Sequence, residues 1–107
     1  MQLLTAELRS QLPPLYSQEH NKDPTVHAKF FCPWSNWTWF VTEGEAEDED
    51  FRFFGYVVGF EEEWGYFVLS ELAAVRGPGG LTIERDLYFK TGPFSHVIQQ
   101  FRRERGQ

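Results

Sequence analysis

FRFFGYVVGF, Phe51 to Phe60, is the longest β-favouring run of the chain, and its only charge is Arg52. Side chains alternate across a strand, so Phe51, Phe53, Gly55, Val57 and Gly59 share one face and Arg52, Phe54, Tyr56, Val58 and Phe60 the other. Both sets are largely apolar. A strand with one wet face alternates apolar and polar residues, whereas a strand covered on both faces does not. The run therefore predicts a central strand with a layer packed on each side, and full burial of Phe54 and Val58.

Outward from this strand, the chain reads as a small α+β domain. On the N-terminal side, Asn36 to Thr42 alternates Trp37, Trp39 and Val41 against Thr38, Phe40 and Thr42, and Thr25 to Phe31 alternates Val26, Ala28 and Phe30 against His27, Lys29 and Phe31. On the C-terminal side, Gly65 to Ser70 is a further strand that completes an antiparallel meander, and Leu81 to Phe89 a last one. The result is a mostly antiparallel sheet of about five strands with Phe51 to Phe60 at its centre. Short helices flank it. Leu4, Leu8 and Leu12 form a leucine stripe stopped by Pro13 and Pro14, and Phe94, Val97, Ile98 and Phe101 fall at i, i+3, i+4 and i+7. A further short helix starts at Ser70. The whole chain, residues 1–107, reads as one domain, with residues 91–107 as a C-terminal helical stretch.

Composition narrows the function classes. There are 11 Phe, 4 Trp and 4 Tyr among 107 residues, which implies a core of large rings with some rings left over for an interface. One cysteine, Cys32, excludes an internal disulfide and a cysteine-based zinc site. Met1 to Gln11 has no long apolar run, and no segment approaches the roughly 20 apolar residues of a membrane span, so a cytoplasmic setting is expected. The net charge of −6 disfavours direct nucleic-acid binding and suits a partner with a basic surface.

Glu43, Glu45, Glu47, Asp48, Glu49 and Asp50 are six acids within eight residues. Such a run repels itself, and it predicts a solvated hairpin loop with an acidic tip that steers the protein onto a cationic surface. Trp34, in a break between strands, is the ring expected at an interface. Arg52 and Arg85 each interrupt an apolar face, and each is expected to pair with an acid or to reach solvent at a strand end.

A catalytic alternative rests on Glu84 and Asp86, which lie on one strand face at i and i+2, where two acids begin a site for a divalent ion in a nuclease. His27 or Lys29 would face the phosphate. Solvation of an outer strand accounts for the same pattern. The three histidines have no metal-ligand spacing, and no serine or cysteine sits in a nucleophile context, so neither a resident metal nor a cofactor is expected.

The segments AKFFCPWSNWTWFVTEGE, DEDFRFFGYVVGFEEEWGYFVLSEL and IERDLYF, in that order and spacing, resemble a family of small bacterial proteins of unknown function, of the DUF2958 type, carried on plasmids, phages and integrative elements. The likeness covers roughly Leu3 to Lys90, with Thr91 to Gln107 less typical. The resemblance brings no catalytic residues. It implies a mobile-element setting, and with it a non-enzymatic protein that binds a host or mobile-element protein, including a defence system of the restriction or CRISPR kind.

Overall fold

The computed structural model describes residues 1–106, so that Gln107, the last residue of the C-terminal stretch, lies outside the described residues. In chain order the elements are helix α1 (Ala6–Gln11), strands β1 (Thr25–Val26), β2 (Ala28–Phe31), β3 (Thr38–Glu47), β4 (Asp50–Val58) and β5 (Glu62–Val68), helix α2 (Leu69–Ala74), strands β6 (Glu84–Arg85) and β7 (Gly92–Pro93), and helix α3 (Phe94–Glu104). Among the described residues the strands form an antiparallel five-stranded sheet, β5-β4-β3-β2-β6, and a two-stranded ribbon, β1-β7.

The aromatic run forms β4, an interior strand paired on both edges, and the middle of the order goes to its neighbour β3. Its two faces are covered, but unequally. Phe51, Phe53 and Gly55 are buried, whereas Arg52, Phe54 and Tyr56 on the other face are half-buried and Phe60 is 96% exposed. Val58 is buried as expected; Phe54 is not, because the helix on its side ends short of it.

The first face carries the main core. Phe30 meets the edge of Phe53 at 5.4 Å, Phe67 stacks on Phe53 at 5.5 Å, and Leu8, Leu12 and Leu72 close over them. Thr5 starts α1 by accepting the Leu8 N–H at 3.1 Å, and this turn sets the leucine stripe against the sheet. The second face holds a smaller core of Val26, Phe40, Val58, Val97, Ile98 and Phe101 under α3. Glu62 links α3 to the sheet by accepting from Arg102 at 2.8 Å and from the Tyr56 hydroxyl at 2.9 Å.

Both later helices are capped from a distance. Asp50 accepts the N–H of Ser70 at 3.1 Å and also its hydroxyl, while Asp23 accepts the N–H of Ser95 at 2.8 Å and its hydroxyl at 2.6 Å. The residues immediately before α2 and α3 are Val68 and Pro93, which offer no side-chain acceptor.

Other departures from the alternation pattern are local. Thr25 to Phe31 divides at His27 between ribbon and sheet, with the His27 N–H still donating to the Val41 carbonyl at 2.8 Å. Leu81 to Phe89 keeps only Glu84–Arg85 as strand, paired with Phe31 and Phe30 of β2. β3 runs five residues beyond Thr42, through Glu47, into the acidic run. There the ladder slips: Val41 pairs with Gly55 but Glu43 with Phe54, so Thr42 is bulged out. Gly55 permits this, since a Cβ there would run into the Phe40 carbonyl oxygen.

The bulge supports a paired test. Gly55→Ala should cost about 3 kcal/mol or more through forced backbone movement. Gly65→Ala, opposite it on β5 with nothing within 4 Å of the new methyl, should leave stability unchanged or slightly raised. Urea unfolding of the two variants checks the contrast. A second test concerns α3. Donation from Arg102 and Tyr56 holds the Glu62 carboxyl below its usual 4.5, so its contribution is present above that value and is lost as pH falls through the lower folded value. Thermal melts from about pH 6 down to about pH 3 should therefore show a smaller acid loss in Glu62→Gln than in the parent.

Candidate functional site

Strand β2 ends while β3 continues, so the edge of β3 past Thr42 has no strand beside it. The loop after α1 takes that place. Pro13 and Pro14 cannot continue a helix, and the chain turns along the edge, with the Gly44 N–H donating to the Pro13 carbonyl at 3.0 Å. The bulge decides which side chains meet this loop. With unbroken alternation from Val41, Glu43 and Glu45 would point into the phenylalanine core. The extra residue moves them to the second face, beside Phe54 and Arg52, and brings Gly44 against Phe51 and Leu12 instead.

Glu43 is then 4% exposed, with its carboxylate satisfied by backbone donors. Oε1 accepts the Tyr16 N–H at 2.9 Å and Oε2 the Gln18 N–H at 2.7 Å. Glu45 accepts the Leu15 N–H at 2.8 Å. The Gln18 side chain completes the join, donating to the Thr25 and Thr42 carbonyls and accepting the Thr25 N–H. Held this way, Tyr16 adopts φ 72°, a left-handed conformation that bulky side chains rarely enter.

The strained Tyr16 completes an aromatic row on the second face. Phe54 and Tyr56 of β4 lie opposite Tyr66 and Trp64 of β5, so the ladder register brings four rings together. Centroids step from Phe94 to Trp64 (4.7 Å), to Phe54 (5.9 Å, near-parallel at 13°), to Tyr66 (4.8 Å) and to Tyr16 (6.3 Å). Helix α3 covers only the Phe94 end. Trp64 is 39%, Tyr66 47% and Tyr16 62% exposed. The open end of the row bounds a cleft of about 360 Å³, with Phe54, Trp64, Tyr66 and Tyr16 as aromatic walls and Glu43 among the polar lining. Glu19 and Lys22 also line it. The Tyr16 side chain, desolvation, and the charges of Glu43 and Glu19 push the Tyr66 phenol above its usual value.

The acids expected in a solvated loop are mostly structural. Glu43 and Glu45 are ladder residues holding the loop, Glu47 makes a two-pronged pair with Arg52 at 2.6 and 2.8 Å, and Asp50 caps α2. Only Asp48, at φ 56°, and Glu49 form the turn itself. Glu45, Glu47, Asp48 and Glu49 are exposed as expected at an acidic hairpin, and the departure is Glu43, whose buried carboxylate is tolerated because backbone N–H groups converge on it.

Trp34 is half-buried on the main core, its ring filling the space a side chain on Gly77 would need. Arg52 meets its expected acid; Arg85 does not, and its Nε has no partner among the described residues. Asp86, one of the two acids that flank it in sequence, goes to Lys29 at 3.7 Å. Lys29 also lies 5.4 Å from the Phe101 ring. Glu84 sits in the two-residue β6, and His27 between β1 and β2, where burial lowers its pKa. Among the described residues no three His, Cys, Asp or Glu side chains converge as metal ligands would. Neither is any helix among them long and apolar enough to cross a membrane.

The family described as protein of unknown function, DUF2958, matches residues 3–106, and the chain belongs to it. The match runs through α3, so the C-terminal helix lies inside the family domain. No curated protein and no solved structure matches the chain.

The two kinds of acid are separable by mutation. Glu43→Gln keeps one acceptor but turns an amide N–H toward a backbone N–H, and should cost about 1.5 to 3 kcal/mol. Changing Asp48 to Asn and Glu49 to Gln together should leave the melting temperature unchanged within about 1 °C, as for surface sites. Differential scanning calorimetry of both variants measures the contrast.

Proposed function

We propose that this member of the DUF2958 family is a non-enzymatic binding protein that acts by contact with another protein, using the aromatic cleft and its acidic surroundings. The observation that carries this is the open aromatic row. Exposed Trp64, Tyr66 and Tyr16 are large rigid rings of the type that anchor interfaces, on a sheet face that α3 leaves uncovered. A loop held in a strained conformation supports the same reading, because Tyr16 contributes little to the core yet is fixed beside Tyr66. The net charge of −6 favours a partner with a basic surface over a phosphate backbone.

In its finer form the reading places the protein on a mobile genetic element, with a host defence protein of the restriction or CRISPR kind as its partner. Capture from the native host tests it. Tagged parent protein should retain a stoichiometric protein partner, identified by mass spectrometry, and the Trp64→Ala, Tyr66→Ala double variant should lose it while keeping its fold. Equal capture by both proteins removes the cleft from the interface. Magnesium- or manganese-dependent cutting of nucleic acid that vanishes in Glu84→Gln and Asp86→Asn would replace the binding reading with the nuclease.

A further inference from the structure

We propose that the aromatic cleft is a receptor for one cationic side chain, the guanidinium of an arginine presented by the partner. The inference rests on the preceding reading of the cleft as a contact surface and specifies its chemistry.

Three observations lead to it. The first is the wall. Phe54 and Trp64 lie within 13° of parallel, with Tyr66 beside them at 4.8 Å from Phe54. The faces of aromatic rings are electron-rich and attract cations, and a flat guanidinium lies on them better than a compact, strongly hydrated ammonium does.

The second is Glu43. Its carboxylate is buried against the cleft, accepts only backbone N–H groups, and belongs to none of the ion pairs among the described residues. An apolar anchor seated over it would remove its remaining access to solvent without supplying a countercharge, and an anion would be repelled. A cation meets both the carboxylate and the rings.

The third is the charge balance and size of the lining. Glu19 and Glu43 face one cation, Lys22, which is exposed. Arg52 lies 5.9 Å from the Tyr66 ring, but Glu47 holds it in a two-pronged pair. The balance is therefore acidic, and a cleft of about 360 Å³ is at the small end of ligand sites, suited to one long side chain. Lys22 competes for the same place, and this gives the proposal a test of opposite sign.

The probe is the peptide acetyl-Gly-Arg-Gly-amide, with the citrulline peptide as its uncharged isostere, titrated into the full chain. The indole N–H resonance of Trp64, assigned from a Trp64→Leu variant, is followed by NMR. The arginine peptide should shift it saturably, and the citrulline peptide should bind at least about threefold more weakly, the scale of a cation–π contact. Tyr66→Leu should weaken arginine binding by a similar factor. Lys22→Ala should strengthen it about twofold, as removal of a screened like charge predicts. None of these variants touches the main core, so folding is checked by the unchanged remainder of the spectrum.

Equal binding of arginine and citrulline, no shift of Trp64, or weaker binding in Lys22→Ala would each overturn the proposal. A self-associated chain whose dimer is lost in Trp64→Leu would also overturn it, by making a second copy the occupant. A cleft-dependent protein partner with no arginine-peptide binding sinks this inference alone. Arginine binding with no protein captured leaves the cleft a guanidinium receptor but sinks the preceding reading, and with it the protein partner as the source of the arginine.

Discussion

One residue too many in β3 controls this fold. Between Val41 and Glu43 the ladder to β4 slips by one place, and every side chain after it changes face. Without the slip, Glu43 and Glu45 would be driven among Phe51, Phe53 and Phe67, where a carboxylate finds no donors. With it, the acids arrive on the second face, where the N–H groups of Leu15, Tyr16 and Gln18 converge on them. Gly55 allows the close backbone approach, and Gly44 receives the Phe51 ring in place of an acid. The position of the post-helix loop, the conformation of Tyr16 and the open cleft all follow from this phase change.

Much of the sheet is legible in the chain. Period-two alternation marks β2 and β3, and the largely apolar character of both faces of Phe51 to Phe60 marks β4 as a strand with neighbours on both faces. The leucine stripe and the Phe94, Val97, Ile98, Phe101 pattern mark α1 and α3. The periodicity overstates burial at Phe54, because it reports which face a residue is on and not how far the covering helix extends.

The site is less legible. Read as charge density, Glu43 to Asp50 is a loop; read for period, Glu43, Glu45 and Glu47 recur every second residue, which is the signature of a strand. The repulsion between formal charges masks that periodic signal. The bulge has no local signature apart from Gly55. Trp64 and Tyr66 alternate plainly, but their meeting with Phe54 and Tyr16 depends on the register across β4 and β5 and on a loop some fifty residues away in sequence. Trp34 sits in a break between strands, where the sequence points to an interface ring, yet its ring closes on Gly77, a backbone position that shows no sign of this in the sequence.

The distant caps bear on how the chain reaches this structure. α2 takes its N-terminal acceptor from Asp50, 20 residues upstream, and α3 takes its own from Asp23, 72 residues upstream. A short helix is marginal by itself, since its first turn fixes several residues for one hydrogen bond. Here the group that would ease that nucleation arrives only when the β3–β4 hairpin and the start of β1 are already in place. Helix completion is therefore conditional on the sheet, and the two should form late, on a scaffold with long-range contacts already made. Fragments that contain the α2 or α3 sequence without the sheet lack this acceptor. Secondary and tertiary structure are gained together in such an arrangement, and a partly assembled chain has no independent helical subunit on which to rest.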